Sequence, residues 1–341
     1  MTAFFAGTTF QRVARGIVVA ACVVALGLWI GFAVGPERAW WLAQAQYLPY
    51  PMLVLPVAVA CAFAWRLGWR WRVAGAGAAF VVLVPVMGLH CCAASHRGSL
   101  RIMTYNVKDY LARAGDGGAI ELITEILEHS PDIVVLQDAR KVGAILDRAA
   151  PLAGLRHVFQ YGQFVIASRF PLRDCDHGDI PFRDQSHSYA TCVVTVGERD
   201  VEVATAHFVT PRDGLNALRH LGFRGVAEWN QNVDDRMQQA DELARHLEKQ
   251  RRPLILAGDL NAPGPSLVAR RLEKIGLVDA FAAGGTGYGY TYGHAFWPGL
   301  SFLRIDRVLV SPELSVVQCF VGGRLPSPHR PVIADLAWVG A

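Results

Sequence analysis

Polar residues that can carry out acid–base and phosphate chemistry follow several short apolar segments of the chain. The apolar residues 254–257 lead to Asp259 and Asn261, and five further segments end in a similar way. The side chains concerned are Asn106, Asp138, His207, Asp259, Asn261, Asp306 and His329. A single residue of this kind is more often a turn residue or a cap. Six segment ends of matching chemistry indicate one shared cleft, because strand ends can meet at one edge of a sheet.

The segments that must position these residues are predicted to be strands and helices. Apolar runs predict strands at residues 100–106, 131–137, 163–168, 188–196, 200–208, 253–258, 304–311 and 331–339. Apolar residues recur at helical spacing over residues 120–127 and 233–247, which indicates amphipathic helices. Strands with interspersed helices between residues 99 and 340 predict one layered α/β or α+β domain.

The order of the motifs resembles that of the endonuclease/exonuclease/phosphatase superfamily, the deoxyribonuclease-I-like metal-dependent phosphoesterases. The motifs are TYN (104–106), LQD (136–138), AHF (206–208), GDLN (258–261), ID-x-VLVSP (305–312) and HRPV (329–332). The resemblance covers about residues 99 to 340. It implies an α+β fold, a four-layer α/β/β/α sandwich in which two mixed β-sheets pack face to face with helices outside. The apolar N-terminal part is similar to that of bacterial membrane-anchored members.

The resemblance also implies a role for each polar residue. Asp259 would orient and deprotonate the attacking water, and Asn261 would hold that water or a phosphate oxygen. His207 and His329 would donate hydrogen bonds to the phosphate as negative charge builds on it. Asp306 would hold the far nitrogen of His329 and favour its protonated form. Together they would form the catalytic site of a phosphodiesterase or a phosphatase.

Asn106 and Asp138 would contribute to a divalent metal site, for Mg²⁺ or Mn²⁺. A small set of oxygen ligands suits Mg²⁺, which keeps several waters and takes substrate phosphate oxygens. The chain departs from the family at two places near this site. Asp138 stands where the family usually has Glu, which retracts the carboxylate by about 1.5 Å. Pro328 stands where the family usually has Asp, so a second carboxylate near the metal is missing. We therefore expect weaker metal binding than in typical members.

These departures leave a second function open. A catalytically weakened relative could keep the fold and act as a binding module for a phosphorylated ligand or a partner. The presence of His207, Asp259, Asn261, Asp306 and His329 favours the enzyme. Hydrolysis that depends on these residues would separate the two functions.

The N-terminal part is apolar enough to lie in a membrane. Its three apolar runs are Gly16 to Gly35, Leu48 to Trp65 and Val73 to Leu89. A membrane-spanning helix needs about 20 apolar residues, with about 17 as the lower limit. We expect a membrane anchor at residues 1–93 with two or three transmembrane helices, three being favoured. Residues 94–341 would form the endonuclease/exonuclease/phosphatase-like domain. A cleaved signal peptide fits less well, because further membrane-like sequence follows the first run.

Basic residues beside the apolar runs predict the orientation. Arg12 and Arg15 precede the first run, and Arg66, Arg70 and Arg72 lie between the second and third. With three spans both groups fall on one side, which the positive-inside rule makes cytoplasmic. We therefore expect a multi-pass protein of the bacterial inner (cell) membrane whose C-terminal domain is periplasmic or extracellular. An oxidising compartment would permit a disulfide between Cys175 and Cys192, which the sequence does not establish.

The charge distribution bears on the substrate. The net charge is +4, but residues 94–341 hold 27 basic and 28 acidic residues, so the expected phosphoester domain is nearly neutral. A nucleic-acid substrate would need a net basic face, so nucleic acid is possible but not favoured. The glycine- and aromatic-rich residues 285–299 could form a rim that stacks a base or could cover the edge of the core. The identity of the phosphoester substrate is not determined.

Overall fold

The computed structural model describes residues 2–92, 96–109, 115–142, 150–294 and 299–340. The chain divides into two compact units. The first unit contains Met1–Leu89 with Gly264–Ser266, and the second contains His90–Pro263 with Leu267–Ala341. The boundary between residues 93 and 94 that the sequence predicts lies outside the described residues.

The first unit is helical. Its helices are α1 (Thr2–Val34), α2 (Trp40–Ala45), α3 (Val54–Trp65) and α4 (Trp69–Val81), which a π-helical segment extends through Val82–Val86. Two helices, Thr8–Val34 and Trp69–Val86, are long and apolar enough to cross a membrane. The prediction of about three such helices is therefore not confirmed, because two are found among the described residues. The second apolar run forms the shorter helix Tyr50–Trp65, because its prolines confine regular α-helix to the later part of the run.

Contacts inside the first unit give the direction of its helices. The rings of Phe10 and Phe63 lie 5.9 Å apart, so the start of α1 is beside the end of α3. The guanidinium of Arg15 lies 5.7 Å from the centre of the Trp71 ring, so the start of α4 is at the same end. Helices α1 and α4 therefore run in the same direction, and α3 runs opposite to both.

The second unit contains most of the strands. In chain order they are β1 (His90–Cys91), β2 (Leu100–Asn106), β3 (Ile133–Gln137), β4 (His157–Tyr161), β5 (Phe164–Ser168), β6 (Leu172–Phe182), β7 (Gln185–Val196), β8 (Arg199–Ala206), β9 (Leu254–Asp259), β10 (Val278–Asp279), β11 (Thr286–Gly287), β12 (Asp306–Val310), β13 (Leu314–Val321) and β14 (Val332–Trp338). Its α-helices are α5 (Gly115–His129), α6 (Arg212–Leu221), α7 (Val226–Leu247), α8 (Leu267–Glu273) and α9 (Ala280–Gly284).

Twelve of these strands form two mixed sheets. The first sheet has the order β10-β12-β9-β8-β7-β6, and the second has the order β13-β14-β2-β3-β5-β4. Strands β8 and β9 are parallel, as are β2 and β3, and the other neighbours are antiparallel. The parallel pairs matter for the site, because the carboxyl ends of both members lie at the same edge of their sheet.

Three clusters of buried apolar residues hold the layers together. One contains residues of both sheets, including Ile102, Ile166 and Val203, and fills the space between them. A second joins the outer face of the second sheet to α5 through Leu122 and Ile126. A third joins the first sheet to α7 and α8. The prediction of two packed mixed sheets with flanking helices is confirmed.

A disulfide joins two neighbouring strands of the first sheet. Cys175 of β6 is bonded to Cys192 of β7, the pair that the sequence left open. Strand β6 was not predicted from the sequence. Most of its residues are polar and partly exposed, as expected of a strand at the edge of a sheet.

A buried ion cluster fixes the edge of the first sheet that leads to the polar residues. Asp279 accepts hydrogen bonds from Arg304 at 2.8 and 2.9 Å and is also paired with the buried Arg307. Arg307 lies opposite Gly258 in the β9–β12 register and donates to the carbonyl oxygen of Ala262 at 3.1 Å. The cluster therefore ties both flanks of Asp259 to one rigid network.

Replacement of Asp279 by Asn tests how much stability this cluster supplies. The change leaves Arg304 and Arg307 without their carboxylate, and breaking a buried pair costs about 3–5 kcal/mol. We expect a lower midpoint of thermal unfolding in detergent, followed by intrinsic fluorescence. Asp234→Asn, on the exposed face of α7, should leave the midpoint unchanged. Equal midpoints for Asp279→Asn and wild type would contradict the structural role.

The same cluster predicts a pH dependence. Burial opposes the charged form of Asp279, but the two arginines outweigh it and hold its pKa well below the ordinary value. The stabilising contribution is thus complete above the unfolded pKa of about 4 and is lost as the pH falls below it.

Candidate active site

The carboxylate of Asp259 is the centre of a buried polar cluster. Only 1% of Asp259 is exposed. Its Oδ2 accepts a hydrogen bond from Nδ2 of Asn106 at 2.8 Å. The Nε2 atoms of His207 and His329 lie 3.5 and 3.8 Å from the same oxygen. Three side chains from distant parts of the chain therefore meet at one carboxylate oxygen.

Strand ends of both sheets produce this convergence. Asn106 is the last residue of β2 in the second sheet, whereas Asp259 is the last residue of β9 in the first. His207 follows β8 and forms a parallel bridge with Asp259. Asp306 lies directly opposite Asp259 in the antiparallel β9–β12 register. The hydrogen bond between Asn106 and Asp259 consequently crosses from one sheet to the other.

His329 is held between two carboxylates. Its Nδ1 lies 3.0 and 3.2 Å from the oxygens of Asp306, while its Nε2 faces Asp259. Its backbone N–H donates to Oγ of Ser327 at 3.1 Å, and the ring of Tyr292 packs against its imidazole with centres 4.7 Å apart. Asp306 therefore fixes the ring with a proton on Nδ1, so that Nε2 is directed at the cluster.

Asn261 shapes the loop after β9. It adopts a left-handed backbone conformation with φ of 47°, which Asn tolerates better than most residues. Its N–H donates to Oδ1 of Asp259 at 2.9 Å, and its Nδ2 donates to the carbonyl oxygen of Phe208 at 2.9 Å. Asp259 and Asn261 are thus both turned into the protein and buried. The hypothesis that Asn261 holds a water or phosphate oxygen stays a prediction.

His207 has a partner that the sequence did not reveal. Its Nδ1 lies 2.7 Å from Oε1 of Gln163, a residue of the turn between β4 and β5. Because Oε1 can only accept, the neutral ring carries its proton on Nδ1. Burial lowers the pKa of His207 to about 4, with a further lowering by the charge of Lys108 and an opposing effect of Asp259. His207 is therefore neutral at pH 7, and donation from Nε2 to a phosphate requires a second proton.

None of the contacts among the described residues joins the side chain of Asp138 to the cluster around Asp259. It follows β3, and its side chain is 33% exposed. Its Oδ2 lies 3.3 Å from Nζ of Lys108, a residue that no motif marked. The two residues predicted to hold the metal are therefore in different surroundings. Asn106 is buried against Asp259, whereas Asp138 forms an ion pair nearer to solvent.

Two groups of side chains have the donor chemistry of a divalent-cation site. Ligand atoms of Asp259, Asp306 and His329 lie within 4.8 Å of one another, and carboxylate oxygens and imidazole nitrogen suit Mn²⁺ and related ions. Asp138 offers a more exposed carboxylate that can bind a cation still carrying its waters. The residues present therefore fit a divalent cation, and the basic side chains beside Asp259 and Asp306 among the described residues are imidazoles, which are charged only when protonated.

Residues 285–299 contribute to the cluster through Thr291 and Tyr292. Oγ1 of Thr291 accepts from the N–H groups of Ile305 and Asp306 at 3.3 and 3.4 Å. Tyr292 covers His329. This part of the loop thus packs onto the site, while Phe296 and Trp297 of the same stretch lie outside the described residues.

The low pKa of His207 predicts how stability depends on pH. The unfolded ring binds a proton near pH 6.5 and the folded ring near pH 4. Because the unfolded ring takes up its proton first, the free energy of unfolding decreases by up to roughly 3 kcal/mol as the pH falls from 6.5 to 4. Above pH 6.5 the ring is neutral in both states and this loss is absent. His207→Gln should flatten the fall in the midpoint of thermal unfolding over this range. His220→Gln, in an exposed position, should not, and an equal slope in His207→Gln and wild type would contradict the prediction.

Comparison with known proteins agrees with this geometry. The model of the Endonuclease/Exonuclease/phosphatase family matches residues 103–329. No curated protein sequence matches the chain. The fold is similar to that of an endonuclease/exonuclease/phosphatase from Beutenbergia cavernae, with 21% identity, a TM-score of 0.54 and coverage of 72% of this chain and 73% of the other.

Two further solved structures show the same fold. An endonuclease/exonuclease/phosphatase from Bacteroides vulgatus is 16% identical, with a TM-score of 0.55 and coverage of 70% of this chain and 98% of the other. D. rerio TDP2, solved with a single-strand DNA product, is 15% identical, with a TM-score of 0.51 and the same coverage. Identities this low establish the fold alone. Since the family match spans most of the chain and includes all seven polar residues, the chain belongs to the endonuclease/exonuclease/phosphatase family.

Proposed function

We propose that the protein is a metal-dependent phosphoester hydrolase, a phosphodiesterase or phosphatase, tethered to the membrane by its N-terminal helices. Members of the family are typically phosphoester hydrolases and generally use divalent metal ions. The observation that carries the proposal is the meeting of Asn106, His207 and His329 at Oδ2 of Asp259. This arrangement combines a proton acceptor with groups that can donate to a phosphate.

The chain's own residues supply a sequence of roles. Asp259 accepts the proton of the attacking water, and the hydrogen bond from Asn106 fixes the carboxylate that does so. The imidazolium form of His329, oriented by Asp306, donates to a non-bridging phosphate oxygen as negative charge develops there. His207 becomes a second donor once the phosphate's negative charge raises its affinity for a proton.

We assign Asp138 to the metal. Asn106, the other predicted ligand, lies deeper in the site and is fully buried. Mg²⁺ gives up its waters reluctantly, and Asp138 is exposed enough to leave room for them, whereas Asp259, Asp306 and His329 are buried. When bound, a divalent cation would neutralise charge on the phosphate and lower the pKa of a coordinated water.

A second function is favoured by one specific observation. Asp138 is already paired with Lys108, and Pro328 stands where the resemblance implies a second carboxylate, so metal affinity is expected to be low. If the affinity were too low for catalysis, the protein would be a binding module for a phosphorylated ligand or partner. The buried cluster around Asp259 favours the enzyme, because such a concentration of acid–base groups is costly to bury without a function.

The first unit supports the proposed location. Since α1 and α4 start at the same end and run in the same direction, the chain between them must run back from the end of α1 to the start of α4. The short helix Tyr50–Trp65 lies between them in the chain and runs opposite to both. Arg12, Arg15, Arg66, Arg70 and Arg72 then lie on one side, which would be cytoplasmic. The catalytic domain would be periplasmic or extracellular, where the Cys175–Cys192 disulfide is stable.

Hydrolysis of bis(p-nitrophenyl) phosphate by the full chain in detergent tests the proposed function. We expect turnover that requires Mn²⁺ or Mg²⁺ and is lost with EDTA. Asp259→Ala and His329→Ala should each lower kcat by about 10²–10⁴-fold, the usual effect of removing an acid–base group.

Matched replacements elsewhere control for general damage. Asp234→Ala and His220→Ala remove the same side-chain types from exposed positions and should retain wild-type turnover. Activity that survives Asp259→Ala and His329→Ala would mean that the site is elsewhere. No turnover of any aryl phosphodiester or monoester with either metal would favour the binding module.

The redox state of the cysteines tests the location. Cells are first treated with acid to stop thiol exchange and are then denatured and labelled with a thiol-reactive polyethylene glycol. Cys175 and Cys192 should remain unlabelled unless a reductant is added before the label. The double replacement by Ser should leave the labelling pattern without reductant unchanged, whereas Cys319→Ser, which removes a free thiol, should remove one label. Full labelling of Cys175 and Cys192 without added reductant would contradict an oxidising location.

A further inference from the structure

The proposed metal ligand Asp138 forms an ion pair with Lys108, a residue that has no catalytic role in the mechanism given above. Nζ of Lys108 lies 3.3 Å from Oδ2 of Asp138, and the two side chains are only 19% and 33% exposed. Lys108 is also near enough to His207 for its charge to lower the pKa of that ring. The ammonium therefore lies beside the proposed metal ligand and acts electrostatically on the proposed phosphate donor.

The backbone holds both members of the pair in an unusual conformation. Lys108 has φ of 46° and Asp138 has φ of 51°, in the left-handed region that non-glycine residues seldom adopt. The N–H of Lys108 donates to Oδ1 of Asn106 at 3.2 Å. The N–H of Asp109 donates to the carbonyl oxygen of Asp138 at 2.8 Å. Such strain persists where the surroundings over-determine it, and it is frequent at functional sites.

These hydrogen bonds join the segments that carry the two charges. Lys108 follows β2 and Asp138 follows β3, and these strands are parallel neighbours with Asn106 beside Gln137. The ammonium is thus delivered to the carboxylate by two adjacent strand ends. A cation that approaches Asp138 meets a positive charge already in place and must separate it from the carboxylate.

We propose that Lys108 competes with the divalent cation for Asp138 and so sets the metal affinity of the site. The inference rests on the proposed function and assigns to Lys108 a regulatory part in it. The built-in ammonium neutralises Asp138 at low metal concentration. The divalent ion binds only when its concentration is high enough to displace the ammonium from the carboxylate of Asp138.

Binding of Mn²⁺ to the full chain in detergent, followed by the electron paramagnetic resonance signal of free Mn²⁺, tests this inference without the need for turnover. Lys108→Met should bind Mn²⁺ about tenfold more tightly, because repulsion is removed and the carboxylate is released. Lys108→Arg keeps the charge and should retain the low affinity. The matched control is Lys141→Met, which removes an exposed charge three residues after Asp138 and should change the affinity by less than about twofold, since solvent and salt screen it.

The replacement Asp138→Asn completes a double-mutant cycle. It should weaken Mn²⁺ binding, and Lys108→Met added to it should give no further gain, because the two effects pass through one carboxylate. Unchanged affinity in Lys108→Met, or an equal gain with and without Asp138, would overturn the inference. Slower hydrolysis by Lys108→Met with unchanged Mn²⁺ affinity would also overturn it, since Lys108 would then act on the substrate. These outcomes are separate from failure of the proposed function, which the Asp259→Ala and His329→Ala assay reports.

Discussion

The hydrogen bond from Asn106 to Asp259 is the contact on which the site depends. It joins the last residue of a strand in each sheet at a point where both side chains are buried. A buried carboxylate is costly unless donors surround it. Asp259 obtains them from Asn106 and from the N–H of Asn261, with His207 and His329 near by. The cluster is therefore complete only when the two sheets are packed together.

Burial and charge divide the site into two zones. In the inner zone, Asp259, Asp306 and His329 are almost inaccessible, and their contacts fix the imidazole and its proton. In the outer zone, Lys108 and Asp138 are partly exposed and carry opposite charges. Proton transfer benefits from fixed geometry, whereas a hydrated cation needs room and exchange with solvent. The two zones adjoin at the end of β2, where Asn106 contacts Asp259 and Lys108, two residues later, pairs with Asp138.

Local patterns predicted one layered domain, and the family resemblance predicted its two packed sheets and a shared site. The strand ends at Asn106, His207 and Asp259 do meet, whereas Asp138 lies outside that cluster. Strands β2 and β3 coincide with apolar runs; Asn106 is the last residue of β2, and Asp138 follows β3. Strand β6 was missed because its polar residues show no clear alternation. Gln163 and Lys108 were missed because their roles come from neighbours distant in sequence. The depth of Asp259 and Asn261 was also unpredictable, since it depends on how the second sheet covers them.

The substitution at Pro328 shows how the site accommodates the loss of a polar side chain. The family usually has a carboxylate there, between Ser327 and His329. Here Oγ of Ser327 donates to the carbonyl oxygen of Asn106 at 2.6 Å and accepts from the N–H of His329 at 3.1 Å. One hydroxyl thus links the end of β2 to the loop before β14. His329 is held by Ser327 and Asp306 without that carboxylate, so in the proposed mechanism its absence would reduce the charge available to a cation and would not alter the placement of His329.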